Sequence, residues 1–495
     1  MDPEHTEVLI AGAGPTGLVL AIDLARRGIP HRLVERSGRT FPGSRGAGIQ
    51  PRTLEMFDDL GVVDAVLADS GPVLPIQNWD GRRRGEARPL AEPAADSPGT
   101  PYRTPRMLPQ RRTVDILRTR LEELGGSVEF DTELTGFEQD ADGVTATLGT
   151  GATVRARHLV ATDGGRSTVR KALGVPFHGN DVTTGRAIVA DLVLGGPDAD
   201  AFDTDHWHMW PRAEGGLVTI NQLPGATSKQ IIAIFDDPGR ELDIDRDATP
   251  EALGRLLSER TGHRLTVHEI HWASVYRPRV AMAERFRVGH VLLAGDAAHV
   301  HPPSGGQGLN TSVQDAYNLG WKLEAVLRRG ADDTLLDTYD EERRGIAGGV
   351  LGLSQRVFRA DRADGGFSVR GPETHQLTLG YRGGALSRET RRGLGPDAGA
   401  DAAALRAGDR APDAPLADGA LFDAFRGPHF TVLVVGDEAG AVPVPEWVRV
   451  CRVPAEGYVK EAYGPGVFVI RPDGYVGLAA DDVAGVPDYL RVVGG

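Results

Sequence analysis

Val8-Leu9-Ile10-Ala11-Gly12-Ala13-Gly14-Pro15-Thr16-Gly17-Leu18 is the stretch on which the reading of this chain turns. Glu7 to Ala11 is a short apolar run, Leu18 to Arg27 carries helical apolar spacing, and His31 to Glu35 is a second strand. Strand, glycine turn, helix and strand form a βαβ unit, which predicts a parallel sheet with helices on its faces. Gly12, Gly14 and Gly17 stand as G-x-G-x-x-G. The first glycine permits the tight turn, the second lets backbone approach a pyrophosphate, and the third lets the helix pack closely. The helix N-terminus, opening at Pro15 and Thr16, then faces phosphate charge. Glu35 ends the second strand a little over ~20 residues on, where an acid grips ribose hydroxyls. Glycine turns between strand and helix are common, so a purely structural turn is the competing reading; with Glu35 in place, dinucleotide binding is the expectation.

Working outward, 495 residues exceed one compact core and suit two to four domains. The net charge of −14 argues against a nucleic-acid partner, which wants a basic surface. Its plain meaning is solubility. No apolar run approaches the ~20 residues that span a bilayer, and the N-terminus runs into a strand with no basic leader. Cys451 is the single cysteine, which excludes an intrachain disulfide and a cysteine-built metal site. The cytoplasm is the expected location, without membrane association. Homo-oligomer assembly is left open.

Residues 72–105, rich in Pro, Arg and Ala, read as an irregular excursion. Arg112 to Leu124 suits an amphipathic helix, and Ser127 to Val160 alternates like strands. From 180 to 275 the pattern is β-rich, as at Arg186–Leu194, Gly215–Leu223 and Gln230–Phe235. A long helix is expected from about Leu309 to Arg329. Residues 360–412 read as a linker partly packed on the surface, and 413–495 as a small α/β unit with its own strands.

Three further segments bear on the ligand. Ala161-Thr162-Asp163-Gly164-Gly165 follows an apolar strand and opens a helix. Ala294-Gly295-Asp296-Ala297-Ala298-His299 again sets an acid at a strand end. Pro302-Pro303-Ser304-Gly305-Gly306-Gln307-Gly308-Leu309-Asn310 is a glycine loop leading into a helix. A strand-end acid can hold a polyol chain, and bare N–H groups at a helix N-terminus can stabilise charge on a flat ring. For each acid singly, helix capping is the equal alternative.

Taken together, these segments resemble the class A flavoprotein aromatic hydroxylases, over nearly the whole chain. The resemblance is to the phenol and aromatic-polyketide hydroxylase branch with a thioredoxin-like C-terminal domain. It implies an α/β fold: a Rossmann-like FAD-binding domain over 1–178 and 276–395, a β-rich substrate domain inserted at 179–275, and the thioredoxin-like domain over 400–495. It also implies non-covalent FAD, NAD(P)H as cosubstrate, O2, and an aromatic phenolic substrate hydroxylated through a C4a-hydroperoxyflavin. By the same resemblance Glu35 holds the adenosine ribose, with Arg36 beside adenine. Arg45, in GSRGAGIQPRTLE, and Gln110, in LPQRRTVDILR, meet the ribityl region. Asp163 supports the pyrophosphate and Asp296, after Gly295, the ribityl hydroxyls. Pro303, Gly306, Gly308, Leu309 and Asn310 lie beside the isoalloxazine ring, whose reduced anion the helix N-terminus favours.

Pocket-wall candidates in the strand-like middle are Trp207, Met209, Trp210, Asn221, Phe235 and Tyr276, with ordinary core packing as the alternative for each. His206 and His208 lack a third nearby ligand, so no metal site is expected. His299 and His301 fall in the glycine-loop segment, where a structural role is favoured. No general base is evident. The C-terminal stretch has no Cys-x-x-Cys, so disulfide chemistry is excluded there. No lysine precedes Lys171, and HWHMWPR lacks the Trp-x-Trp pattern, which sets aside flavin halogenases. A polycyclic polyketide or related natural product is the expected substrate. Epoxidation, oxidative decarboxylation, Baeyer–Villiger insertion and a non-catalytic flavin-binding module stay open as alternatives.

Overall fold

The structure, a computed structural model, describes residues 4–181, 185–237, 239–301, 305–363, 366–392, 404–436, 442 and 444–494. Its organising element is the first strand, Glu4–Ala11, in which Val8, Leu9 and Ile10 are wholly buried. A strand apolar on both faces belongs in the middle of a helix-covered parallel sheet. It pairs in parallel with His31–Val34 on one side and Thr153–Ala161 on the other. Val291–Leu293 and Val128–Glu129 extend this sheet in the same sense.

The helix Pro15–Arg26 lies between the sheet and the long helix Gly308–Arg328, with helix Gln110–Glu123 beside it. Gly320 allows that close approach: a Cβ there would stand 2.0 Å from Asp23 Oδ2. Burial opposes the charge of Asp23, but Arg27 and Arg26 hold its carboxyl below the ordinary range. Among the described residues no helix is long and apolar enough to cross a membrane.

The β-rich middle forms one seven-stranded sheet in the order Thr266–Tyr276, Ala187–Gly195, Lys229–Ile234, Val218–Gln222, Trp207–Trp210, Ile76–Asp80, Arg83–Arg88. The last two strands correct the reading of 72–105 as irregular. Ile76–Asp80 runs parallel to Trp207–Met209, and Arg83–Arg88 closes the edge. An edge strand needs no apolar alternation, and charged side chains suit it; Arg83 to Ala87 are all exposed.

At the C-terminal end, five strands order as Arg388–Glu389, Val476–Ala480, Gly466–Ile470, Phe430–Val435, Val448–Val453. Phe430–Val435 is parallel to Val448–Val453 and antiparallel to Gly466–Ile470. Arg388–Glu389 comes from the stretch read as linker, and Tyr381 and Leu386 before it are buried. That stretch is therefore partly core, although 393–403 lies outside the described residues.

The C-terminal sheet is joined to the helices by charge. Arg471 donates to both Glu342 oxygens (2.6 and 2.9 Å) and to both Asp473 oxygens. Lys322 Nζ meets Glu342 Oε2 at 2.8 Å, and Trp321 Nε1 donates to Asp473 Oδ2 at 3.1 Å. All four charged groups are buried. Such a cluster keeps its charges only because each has its partners.

Candidate active site

The carboxyl ends of the parallel strands bound a cavity of about 710 Å3, within the range usual for small-molecule sites. The three glycines of the turn have distinct surroundings. Gly12 has φ +107°, and a Cβ on it would lie 2.5 Å from Thr162 O. A Cβ on Gly17 would lie 2.0 Å from Gly12 O. Gly14 lines the cavity, its backbone is extended, and a Cβ there would meet nothing within 4 Å. Two of these glycines are thus required by packing, and the third leaves space for whatever occupies the cavity. The helix that starts at Pro15 has no side-chain cap, so its first N–H groups are left for a ligand.

Glu35 lines the cavity and also fixes its wall, accepting from Ala13 N at 2.9 Å and Ser37 N at 3.0 Å. Arg36, Pro15 and Thr16 line the same space. Asp163 lines it too, and caps the helix Thr168–Ala172: Oδ2 accepts from Thr168 N (2.8 Å) and Val169 N (3.2 Å). Its Oδ1 is buried without a hydrogen-bond partner among the described residues, so one oxygen of this side chain caps the helix and the other is left unpaired.

Farther along, Arg45, Gln110 and Asp296 face the cavity. Arg45 Nη2 donates to Ser274 Oγ at 2.7 Å, with its guanidinium 5.8 Å from the rings of Trp272 and Tyr276. Gln110 Oε1 accepts from Gly46 N at 2.9 Å. Asp296 is set deep among protein atoms yet open to the cavity, and desolvation pushes its carboxyl upward. Gly295, at φ +62°, donates its N–H to Asp315 Oδ2 and lies against Thr16 rather than the cavity.

Gly306, Gly308 and Leu309 line the far end, where helix Gly308–Arg328 also begins without a side-chain cap. The Asn310 side chain does not reach the cavity. It accepts from Gln50 N (2.8 Å) and donates to Gly48 O (2.9 Å) and Gly306 O (2.7 Å), tying two wall segments together. Pro303 lies outside the described residues.

A second cavity, of about 290 Å3, is lined mainly by apolar side chains, among them Val73, Met107, Trp207, Ile232, Ile234 and Phe367. Ala47, Gly48 and Gly306 belong to the walls of both cavities. Of the six aromatic-pocket candidates only Trp207 lines this space, with its ring 5.6 Å from Phe367.

Strand alternation explains the rest. Trp210 points to the opposite face of the sheet, stacked on Trp79 and donating to Gly81 O at 2.8 Å. Phe235 sits in that same core between the guanidiniums of Arg260 (4.3 Å) and Arg240 (4.6 Å). Met209 packs with Ile76 and Leu90, Asn221 is buried opposite Trp207, and Tyr276 lies under Arg45. None of these five lines the second cavity. Sequence reading passed over Gln50, Phe367 and Arg370, which do.

His208 is enclosed by Trp79 Nε1 (3.1 Å) and Asp203 O (3.0 Å), and burial pushes its ring down to about 4. No trio of His, Cys, Asp or Glu among the described residues is placed to hold a metal ion. His299 bonds Asp315 Oδ2 at 2.6 Å through one ring nitrogen and His301 at 3.1 Å through the other. His301 lines the larger cavity, and burial holds its ring well below the ordinary range, hence neutral.

A glycine turn at a helix N-terminus opens a long cavity suited to a dinucleotide, and the far wall of that cavity is shared with an apolar chamber suited to a small molecule. A family model described as FAD binding domain matches residues 5–354. A flavin-dependent monooxygenase of Mycobacteroides abscessus is 41% identical, over 98% of this chain and 100% of that one. The 12-dehydrotetracycline 5-monooxygenase/anhydrotetracycline 6-monooxygenase of Streptomyces rimosus is 35% identical, over 98% of each chain. Aklavinone-11 hydroxylase, solved with FAD and aklavinone, superposes with a TM-score of 0.82 at 29% identity, covering 100% of both chains. The chain belongs to this FAD-binding family, among the class A flavin-dependent aromatic hydroxylases. It is an FAD-dependent aromatic monooxygenase.

Proposed function

We propose that the enzyme uses NAD(P)H and O2 to hydroxylate a multi-ring phenolic substrate, a polycyclic polyketide or related natural product, held in the 290 Å3 cavity. The observation that carries this reading is the wall common to both cavities at Ala47, Gly48 and Gly306. A flat substrate there sits one backbone layer from the cradle's far end. Relatives that act on tetracycline intermediates and a neighbour solved with aklavinone support the substrate class.

Residues around the cradle fit FAD, as the open face of Gly14 and the unpartnered Asp163 Oδ1 attest. In this reading the turn at Gly12–Gly17 receives the pyrophosphate, Glu35 the ribose, and Arg36 the adenine side. Arg45, Gln110 and Asp296 take the ribityl chain. Bound FAD, reduced by NAD(P)H, supplies the oxygen-activating chemistry. The chain's own part is to orient and to exclude water. Gly306, Gly308 and Leu309, with the uncapped helix behind them, favour negative charge at the ring end. Asn310 keeps the shared wall in place. The apolar lining keeps the reacting ring dry.

The C-terminal sheet is read as thioredoxin-like, serving packing rather than redox chemistry, and assembly into a homo-oligomer through it is part of the proposal. With one cysteine in the chain, a reducing cytoplasm is the proposed location. The test is NAD(P)H oxidation by purified holoenzyme against a panel of phenols and polycyclic polyketides, with product mass. Oxidation stimulated by a panel member, with a product one oxygen heavier, supports the reading. Stimulation by simple one-ring phenols alone removes the polycyclic assignment.

A further inference from the structure

We propose that Gln50 is the residue that positions the substrate, its Oε1 accepting a hydrogen bond from the phenolic hydroxyl at the wall shared with the flavin cavity. The inference rests on the aromatic-substrate reading above and names the contact that would orient that substrate. Gln50 is 5% exposed and lines the apolar cavity. A Cβ placed on Gly306, a residue of the shared wall, would be 3.5 Å from Gln50 Nε2. That nitrogen donates to Gly305 O at 3.3 Å. The reverse amide orientation would set oxygen against oxygen, so the hydrogen bond fixes which atom is which. It leaves Oε1 buried with no hydrogen-bond partner among the described residues.

Buried acceptors are rarely left unsatisfied, and one on the wall of a ligand cavity marks where a donor is expected. The rest of Gln50 is held firmly: its N–H donates to Asn310 Oδ1, and Asn310 Nδ2 reaches Gly48 O and Gly306 O. That oxygen is closed to a water-sized neighbour in the free protein, so a donor reaches it as the bound ring shifts the wall slightly, while the backbone of Gln50 stays tied to Asn310. A phenolic O–H is the donor suited to it. Accepting that proton's hydrogen bond, without removing the proton, leaves more electron density on the ring carbons ortho and para to the hydroxyl. The same contact holds that edge of the ring toward Gly48 and Gly306, on the cofactor's side. A second buried group without a partner among the described residues, on a residue of this cavity's wall, is a donor, Trp207 Nε1. Together they suit a ring system that carries a hydroxyl and a carbonyl oxygen.

The test uses FAD-loaded protein and two probes, 2-hydroxyanthraquinone and its methyl ether, titrated by calorimetry and by the change in flavin absorbance. Wild type binds the hydroxyl compound more tightly than the ether. In Gln50→Leu, similar in size but without an acceptor, that preference falls by about fivefold to tenfold, the worth of one buried hydrogen bond. Gln50→Met, whose thioether sulfur is only a weak acceptor, gives a similar fall if Leu disturbs the wall. An unchanged hydroxyl-to-ether ratio in both variants overturns the role of Gln50 while leaving the aromatic cavity standing. Binding of neither probe to wild type overturns the aromatic-cavity reading and this contact with it.

Discussion

Replacing Gly14 by valine separates the requirements of the fold from those of the cofactor. Gly14 has φ −73° and ψ 179°, a conformation open to any residue, and its Cβ direction is empty to 4 Å. The apoprotein should therefore fold as before, with unfolding free energy changed by no more than about 0.5 kcal/mol. Cofactor binding should behave differently, because the space that valine fills is where backbone must approach the pyrophosphate. Overpacking of that kind costs about 1–3 kcal/mol, which is roughly a fivefold to 150-fold rise in FAD dissociation constant. Gly17→Ala is the counterpart. Its Cβ would collide with Gly12 O, so it should lower apoprotein stability directly. The assay is denaturant unfolding of apoprotein together with FAD titration by fluorescence quenching. Gly14→Val that retains wild-type FAD affinity would refute the placement of the pyrophosphate; a large loss of apoprotein stability would refute the open space beside Gly14.

Other expectations follow from the same geometry. Asp296→Ala should weaken FAD by about tenfold to 150-fold, the worth of a charge-assisted hydrogen bond to a ribityl hydroxyl; an unchanged dissociation constant would count against that role. Because desolvation raises the folded-state value of Asp296, ionising it opposes folding. Apoprotein stability should thus fall as pH rises from the ordinary carboxylate value through the raised one, and Asp296→Asn should lack that loss when melted across the same range. Arg471→Ala strands Glu342 and Asp473 and should cost about 3–5 kcal/mol in denaturant unfolding. Burial opposes the charge of Glu342, yet Arg471 and Lys322 hold its carboxyl well below the usual range. Its contribution is present above about pH 4.3 and lost as pH falls through the lowered value, so the variant should show a smaller acid-induced loss than wild type. Trp207→Phe should raise KM for an aromatic substrate with stability near wild type. Trp210→Ala should cost about 3–5 kcal/mol of stability instead, and equal effects on KM would undo the assignment of the two faces.

The cradle was legible in the sequence because its requirements are local. Gly12 and Gly17 are constrained by a turn and a helix contact within six residues, Gly14 between them faces open space, and Glu35 follows at a fixed span. The apolar cavity was less legible because its wall is assembled from distant segments. Alternation told that Trp207 and Trp210 face opposite sides of a strand, but not which side is hollow. Gln50 carries no pattern of its own; only the approach of Gly305 and Gly306 makes its oxygen an orphan. Arg83–Arg88 was missed because an exposed edge strand has no apolar period, and Arg388–Glu389 because two residues are too few to show one. The buried cluster of Arg471, Glu342 and Lys322 hid for another reason. Charged side chains suggest surface, and only their partners from remote segments permit burial; there desolvation pushes Lys322 down to about 8.

The most direct test of the account is a single turnover of NAD(P)H-reduced enzyme with a bound polycyclic phenol under isotopically heavy O2. One heavy oxygen atom is expected in the aromatic product, with the second released as water. A substrate recovered unlabelled while the reduced enzyme is reoxidised, or a product whose new oxygen comes from solvent, would contradict it.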